Sequence, residues 1–278
     1  MKLSPKVEIV IKNYISLFNK HLPKTLEGFY LHGSIALDAY VDGSSDIDFI
    51  TVTNRRLTEE DTEALTAIHT TLATNYNKPE MDGVYIMTED VGKLDQHPDD
   101  SYPYYNDGQL YFGNYFNFNP ITWWLLKENG VSVLGPSLEA YRMDIDGNQL
   151  VNYVQENMNS YWVNRIQQME GSIDKISKLS TNDIDTEIEW TVLGLLRQFY
   201  TLKEIGIISK LGAGEYGIRH MPPKWHPLIN EAIHIRNGTK QRESQPSHER
   251  ITALIEFSKY LVDSCNSSIF PNKYTHNT

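Results

Sequence analysis

From Pro136 onward the apolar residues recur almost only at helical spacing, whereas before it short apolar runs alternate with helical stretches. This change of period constrains the fold more than any other feature. Strands interleaved with helices need a sheet that the helices cover, and an unbroken helical half needs a bundle. A length of 278 residues also exceeds what one compact domain usually holds. We therefore expect an α+β chain. Residues 1–145 would form a domain on a small mixed sheet with helices, and residues 146–278 an all-α helical bundle domain.

Val7, Ile9, Val10, Ile11, Tyr14, Ile15, Leu17 and Phe18 predict an amphipathic helix over 5–20. Gly28 to Leu31, Asp46 to Val52, Met81 to Met87 and Val131 to Leu134 read as strands. Thr58 followed by Glu59, Glu60 and Asp61 opens a helix running to about Asn75. Residues 95–120, with their prolines and many Tyr and Phe, read as a long irregular connection, of a length that is uncommon unless it binds something. Helices are expected near 148–179, 187–205, 227–236 and 248–264, and the last eight residues read as frayed.

The chain carries a net charge of −11, from 36 acids against 25 Lys and Arg. Such a field repels nucleic acid and attracts cationic ligands. No run of 18 apolar residues exists, the N-terminal stretch lacks a secretory apolar region, and Cys265 is the single cysteine. We expect a cytoplasmic monomer with no membrane or nucleic-acid partner.

Two short patterns carry chemistry. Gly33 and Ser34 follow a strand and open a short helix over Ile35 to Tyr40. A helix start offers unpaired N–H groups to phosphate, and glycine lets the backbone come close to it. After Ser34 and eleven intervening residues come Asp46 and Asp48, preceded by the turn Gly43-Ser44-Ser45. A period of two puts both carboxylates on one face of the strand. Side by side they repel unless a hard divalent cation, above all Mg²⁺, sits between them. A third carboxylate on a neighbouring strand has two candidates, Asp82 and, just before it, Glu80. Either could bind metal and take the proton from an attacking hydroxyl.

The whole pattern resembles the signature of the DNA polymerase β-like nucleotidyltransferases. Leu110 to Tyr115, Val131 to Pro136, the stretch around Arg197, and Ser209-Lys210 with Gly214 to Gly217 are similar in order and spacing to aminoglycoside adenylyltransferases of the streptomycin/spectinomycin 3″(9) type. The resemblance covers most of the chain, more loosely in the helical half. It implies two Mg²⁺ ions, on Asp46, Asp48 and Asp82, with ATP as co-substrate held by Gly33, Ser34, Ser45, Arg197 and Lys210, and more weakly by Arg236. It implies a cationic small-molecule acceptor, contacted by Tyr115 and by acids of the run Asp183, Asp185, Glu187 and Glu189, above all Asp183 and Glu187. In that family ATP and drug bind between the two domains. The chain departs from the pattern in three places. Asp82 stands where the family has Glu, Tyr115 where it has Trp, and His32 where it often has Phe. A protein or RNA acceptor, as in toxin–antitoxin nucleotidyltransferases, is the alternative, and a non-catalytic nucleotide- or drug-binding relative a third reading. The acidic charge speaks against RNA, and the intact Asp46 and Asp48 against loss of catalysis.

Overall fold

The computed structural model describes residues 3–76, 78–97, 99–239 and 246–269. The expected frayed segment, 271–278, lies outside them. The chain divides into two compact units, Met1–Asp146 and Gly147–Thr278, and its architecture is α+β.

The first unit opens with α1 (Pro5–His21), started by Ser4, whose hydroxyl accepts from the Val7 N–H, and by Pro5. Next come β1 (Leu26–Leu31), α2 (Gly33–Ala36), β2 (Ile47–Thr53), α3 (Thr62–Asn75) and β3 (Met81–Met87). Then follow β4 (Tyr102–Asn106), β5 (Gln109–Gly113), α4 (Pro120–Asn129) and β6 (Val131–Leu134). The six strands form one sheet in the order β5-β4-β3-β2-β1-β6. Only β2 and β3 run parallel, in register from Ile47↔Met81 to Thr53↔Met87. Alternation along the strands sorts the two faces. Phe29, Leu31, Ile47, Phe49 and Tyr85 pack with Val10, Tyr14 and Phe18 of α1 and Leu65, Ile68 and Leu72 of α3. Tyr30, Ile50, Val52, Val84 and Ile86 pack with Trp123 and Leu126 of α4.

Two expectations for this unit are corrected. The stretch 95–120 is not an irregular connection, because β4 and β5 within it form a hairpin that extends the sheet. Its turn is Asp107-Gly108, both residues at positive φ (49° and 75°). An Asp-Gly pair in that conformation matches the right-handed twist of the flanking strands. The helix opened by Gly33 is a single turn ending at Ala36, and the chain from Leu37 to Asp46 is not helical.

The second unit contains α5 (Gly147–Asn157), α6 (Val163–Gly171), α7 (Ile173–Ile176), α8 (Thr181–Glu204), α9 (Lys210–His220), α10 (His226–Arg236) and α11 (Ser247–Ile269). α8 is central, and α5, α9, α10 and α11 all pack on it. The helix expected over 148–179 is interrupted. Leu150, Val154, Met158, Trp162 and Ile166 are all buried and spaced by four. In an α-helix that spacing drifts by about 40° per step. A π-helical turn at Met158–Trp162 takes up the drift and keeps all five on the core side. α8 starts at Thr181, six residues earlier than expected, because Ser180 caps it by accepting from the Asp183 N–H at 3.2 Å. α9 was not expected, its glycines having masked it. Gly214 shows why they are there: a Cβ would lie 2.6 Å from Ile233 of α10. Among the described residues no helix is long and apolar enough to cross a membrane.

Candidate active site

The face parity of the sheet collects the acids. Ile47 and Phe49 point into the α1/α3 core, so Asp46 and Asp48 project on the α4 side, at the end where β2 begins. Asp82 is the register partner of Asp48 on β3 and shares that side with Val84 and Ile86. Across from Asp48, the His32 N–H donates to its carbonyl oxygen at 3.1 Å. The next residue, Gly33, has φ +61°, and a Cβ there would lie 1.7 Å from Asp48 Oδ2. Only glycine fits between carboxylate and backbone. Ser34 follows, its Oγ buried and without a hydrogen-bond partner. Ser45, buried, accepts from the Val41 N–H at 3.0 Å and closes the turn that delivers Asp46.

Electrostatics mark the same place. Burial raises the Asp82 pKa to about 7; the carboxylates of Asp46, Asp48 and Asp107 push the same way, and the hydrogen bond from the Asp107 N–H, 3.1 Å from Oδ1, opposes them. Asp46 is also raised, by burial first and by Asp48, Glu80 and Asp107, with Lys78 opposing. Sequence reasoning passed over Lys78. Its ammonium lies 2.9 Å from Glu80 and 3.8 Å from Asp46, so Glu80 is engaged before β3 begins, and Asp82 is the acid beside Asp48. Among the described residues no three His, Cys, Asp or Glu side chains converge closely enough to hold a metal ion as they stand. The donor chemistry nevertheless fits Mg²⁺ and a triphosphate: three oxygen-donor acids on one face, an unpartnered buried hydroxyl at Ser34, and a glycine cradle against Asp48.

These shifts set a pH dependence. A carboxyl whose folded pKa lies above its unfolded value near 4 binds more protons in the folded state between those values. Stability therefore falls as pH rises from about 4 to about 7 and levels off above. Asp82 is only partly buried, so after solvent screening we expect about 1–2 kcal/mol from it. In chelator-treated protein, Asp82→Asn should flatten the fall of melting temperature with pH and raise stability at pH 8. An unchanged slope would show that Asp82 ionises normally.

Tyr115 lies nearby but is packed rather than open. Its ring is 4% exposed, against Tyr104, Phe116 and Phe118, and Gln96 bonds its backbone on both sides at 2.7 and 2.8 Å. Phe116 is the exposed aromatic beside it, at 57%.

In the second unit the acids of α8 separate. Spacing by two on a helix turns successive acids by about 200°, so Asp183 and Glu187 share one side, Asp185 and Glu189 the other. Asp183 is exposed and accepts from the Ser180 hydroxyl at 2.7 Å. Glu187 is paired with Arg165 at 2.7 Å. Asp185 is in the core, 2.6 Å from Arg250. Glu189 sits among cations, with Lys210 Nζ at 3.1 Å and Arg236 Nη1 at 3.6 Å. Arg197, on the same helix, donates from Nε to the Ile208 carbonyl at 3.0 Å. Burial lowers the Lys210 pKa, Glu189 opposes this, and the Arg236 and Arg197 charges add to it. Lys210 and Arg236 thus share Glu189, and Lys210 also feels the Arg197 charge.

Residues 162–262 match the family model described as the aminoglycoside adenylyltransferase C-terminal domain. The matched stretch lies within the second unit. No curated protein matches the chain in sequence. The fold is similar to the crystal structure of spectinomycin adenyltransferase AAD(9) from Enterococcus faecialis with ATP and spectinomycin. The TM-score is 0.63 and the identity 18%, over 92% of this chain and 99% of that one. At that identity the likeness is one of fold. The matched stretch, residues 162–262, contains Arg197, Lys210 and Arg236 and both acids expected at an acceptor, Asp183 and Glu187.

Proposed function

We propose that the chain is an ATP-dependent adenylyltransferase that places AMP on a hydroxyl of an aminoglycoside or aminocyclitol of the streptomycin/spectinomycin type and releases pyrophosphate. The observation that carries this reading is the pairing of Asp48 with Asp82 in register, behind Gly33 and the unpartnered Ser34 hydroxyl, in a chain with an aminoglycoside adenylyltransferase C-terminal domain. Asp46, Asp48 and Asp82 would hold Mg²⁺, two ions in this reading, which when bound lowers the pKa of an attacking hydroxyl and offsets phosphate charge. Asp82 takes the proton from the acceptor hydroxyl as that oxygen attacks the α-phosphate, from its place beside Asp48 on the adjacent strand. Gly33 and Ser34 bind phosphate oxygens through backbone N–H and Oγ. Ser45 fixes the turn before Asp46. Asp183 and Glu187 receive acceptor amines, and Tyr115 backs the aromatic surface that Phe116 exposes.

Lys210, with Arg197 and Arg236, binds the triphosphate. A polyanion there relieves both the burial of the ammonium and the repulsion among the three cations. Lys210→Met should raise the KM for ATP about tenfold to a hundredfold, the worth of a charge-assisted phosphate contact, and leave acceptor KM unchanged. Arg236 stays with Glu189, so the fold is kept. An unchanged KM for ATP would reduce Lys210 to a structural partner of Glu189. The reading as a whole is tested by incubating the protein with ATP, Mg²⁺ and a panel of aminoglycosides and aminocyclitols. Adenylylation of at least one supports it. Labelling of a protein or RNA and of no drug would favour the alternative acceptor.

A further inference from the structure

Glu187 already holds a cation from its own chain. Arg165 Nη2 donates to both carboxylate oxygens at 2.7 Å, and the Thr191 hydroxyl donates to Oε1 at 2.8 Å. The Arg165 guanidinium lies over the Trp190 ring, 4.5 Å from its centre. Trp190 packs on Trp162, ring centres 5.0 Å apart, and Trp162 ends the π-helical turn. The Arg165 Nε is buried and has no hydrogen-bond partner. A cavity of about 290 Å³ borders the pair, lined also by Met169, Ser172, Lys175 and Ile176.

We infer that Arg165 is an acceptor-specificity residue: its guanidinium occupies the place on Glu187 that a guanidinium or ammonium of the acceptor takes, and the acceptor binds Glu187 by displacing it. The inference rests on the reading of Glu187 as an acceptor acid. An indole face beside a carboxylate is a general receptor for an external cation, and here an internal cation fills it. The hold is incomplete. A guanidinium commonly grips a carboxylate with two nitrogens in parallel, whereas here one nitrogen serves both oxygens and Nε is unsatisfied at the usual penalty for a buried donor. Displacement also leaves Glu187 oriented, because Thr191 is on the same helix four residues on and stays bonded to it. The neighbouring cavity gives the incoming group room beside the acid. Acceptor affinity is then the difference between two pairings with the same carboxylate, and acceptors lacking a well-placed cation are excluded.

The test is calorimetric titration of the full chain with spectinomycin and with streptomycin, in the presence of a non-hydrolysable ATP analogue and Mg²⁺. Wild type, Arg165→Met, Arg165→Lys, Glu187→Gln and the Arg165→Met/Glu187→Gln double variant are compared. Removing the competing charge should tighten binding of a cationic acceptor about tenfold, within the range measured for close charge pairs. Arg165→Lys should give a smaller gain of at least about twofold, since the stacked planar cation is gone. The gain should vanish in the double variant, and affinity for the ATP analogue should not move. Unchanged or weaker acceptor binding by Arg165→Met with an unchanged melting temperature overturns the inference. If Arg165→Met does not fold, absence of any gain in Arg165→Lys overturns it equally. The two levels separate cleanly. A wild type that binds and adenylylates neither compound defeats the functional reading and this inference with it. A wild type that modifies either compound while the Arg165 variants bind it no tighter defeats the inference alone.

Discussion

Asp48→Asn is expected to abolish AMP transfer, by about a thousandfold or more, in a protein that stays folded and is at least as stable as the wild type. The carboxylate stands beside Asp82 on the adjacent strand and within van der Waals range of the Gly33 backbone. Removing its charge relieves repulsion among the acids, which is why stability holds or rises. The same change takes away a hard oxygen donor where Mg²⁺ would stabilise charge on the reacting phosphates, a contribution of several kcal/mol to the barrier. Asparagine keeps the shape, so the Gly33 contact survives. The measurement pairs a transfer assay at saturating Mg²⁺ with a thermal melt in chelator. Wild-type turnover in the variant would remove Asp48 from the site. A large fall in melting temperature would mean that its charge is structural.

Arg250→Met should cost the second unit about 3–5 kcal/mol. Arg250 is 4% exposed and bridges two acids from other helices, Asp185 of α8 at 2.6 Å and Glu231 of α10 through Nε at 2.8 Å. Methionine fills a similar volume but takes the cation away from two buried carboxylates, which then ionise at a penalty or take up protons. Destabilisation should therefore be largest at high pH and shrink as pH falls, and Arg250→Met/Asp185→Asn/Glu231→Gln should recover most of it. Denaturant unfolding of the full chain, followed by the far-ultraviolet circular dichroism of its helices, reads this directly. A loss below about 1 kcal/mol would show that water reaches these acids.

How much of this was legible in the sequence depended on the range of the interaction. The Val7-to-Phe18 period gave α1, and the period of two placed Asp46 and Asp48 on one face, since both are local rules. The hairpin was legible and missed. Asp107-Gly108 between aromatic runs is a strong turn signal, but the prolines and asparagines around it suggested disorder of period. Its consequence, the Asp107 N–H on Asp82, depends on a pairing across 25 residues, which no local pattern encodes. The parallel register that sets Asp82 beside Asp48 is of the same kind. In the helical half, the acids from Asp183 to Glu189 look like one cluster only along the sequence. The position of the Ser180 cap fixes their helical phase, and that phase sends Asp185 into the core with Arg250, Glu189 to Lys210, and Glu187 to Arg165. Each partner is 21 or more residues away, so charge count alone could not have assigned them. Lys78 carried no sequence signal at all, and its proximity to Asp46 comes from the loop that enters β3.

In the proposed reaction the α-phosphoryl group of ATP passes, as AMP, to a hydroxyl of a cationic drug. The direct measurement is to run parallel reactions with α-labelled and γ-labelled ATP, Mg²⁺ and spectinomycin or streptomycin, and to separate drug from nucleotide. α-Label is expected on the drug and γ-label in pyrophosphate, with both signals lost in Asp48→Asn. Label from the γ-position on the drug, or modified drug in the Asp48→Asn reaction, would contradict the proposed reaction.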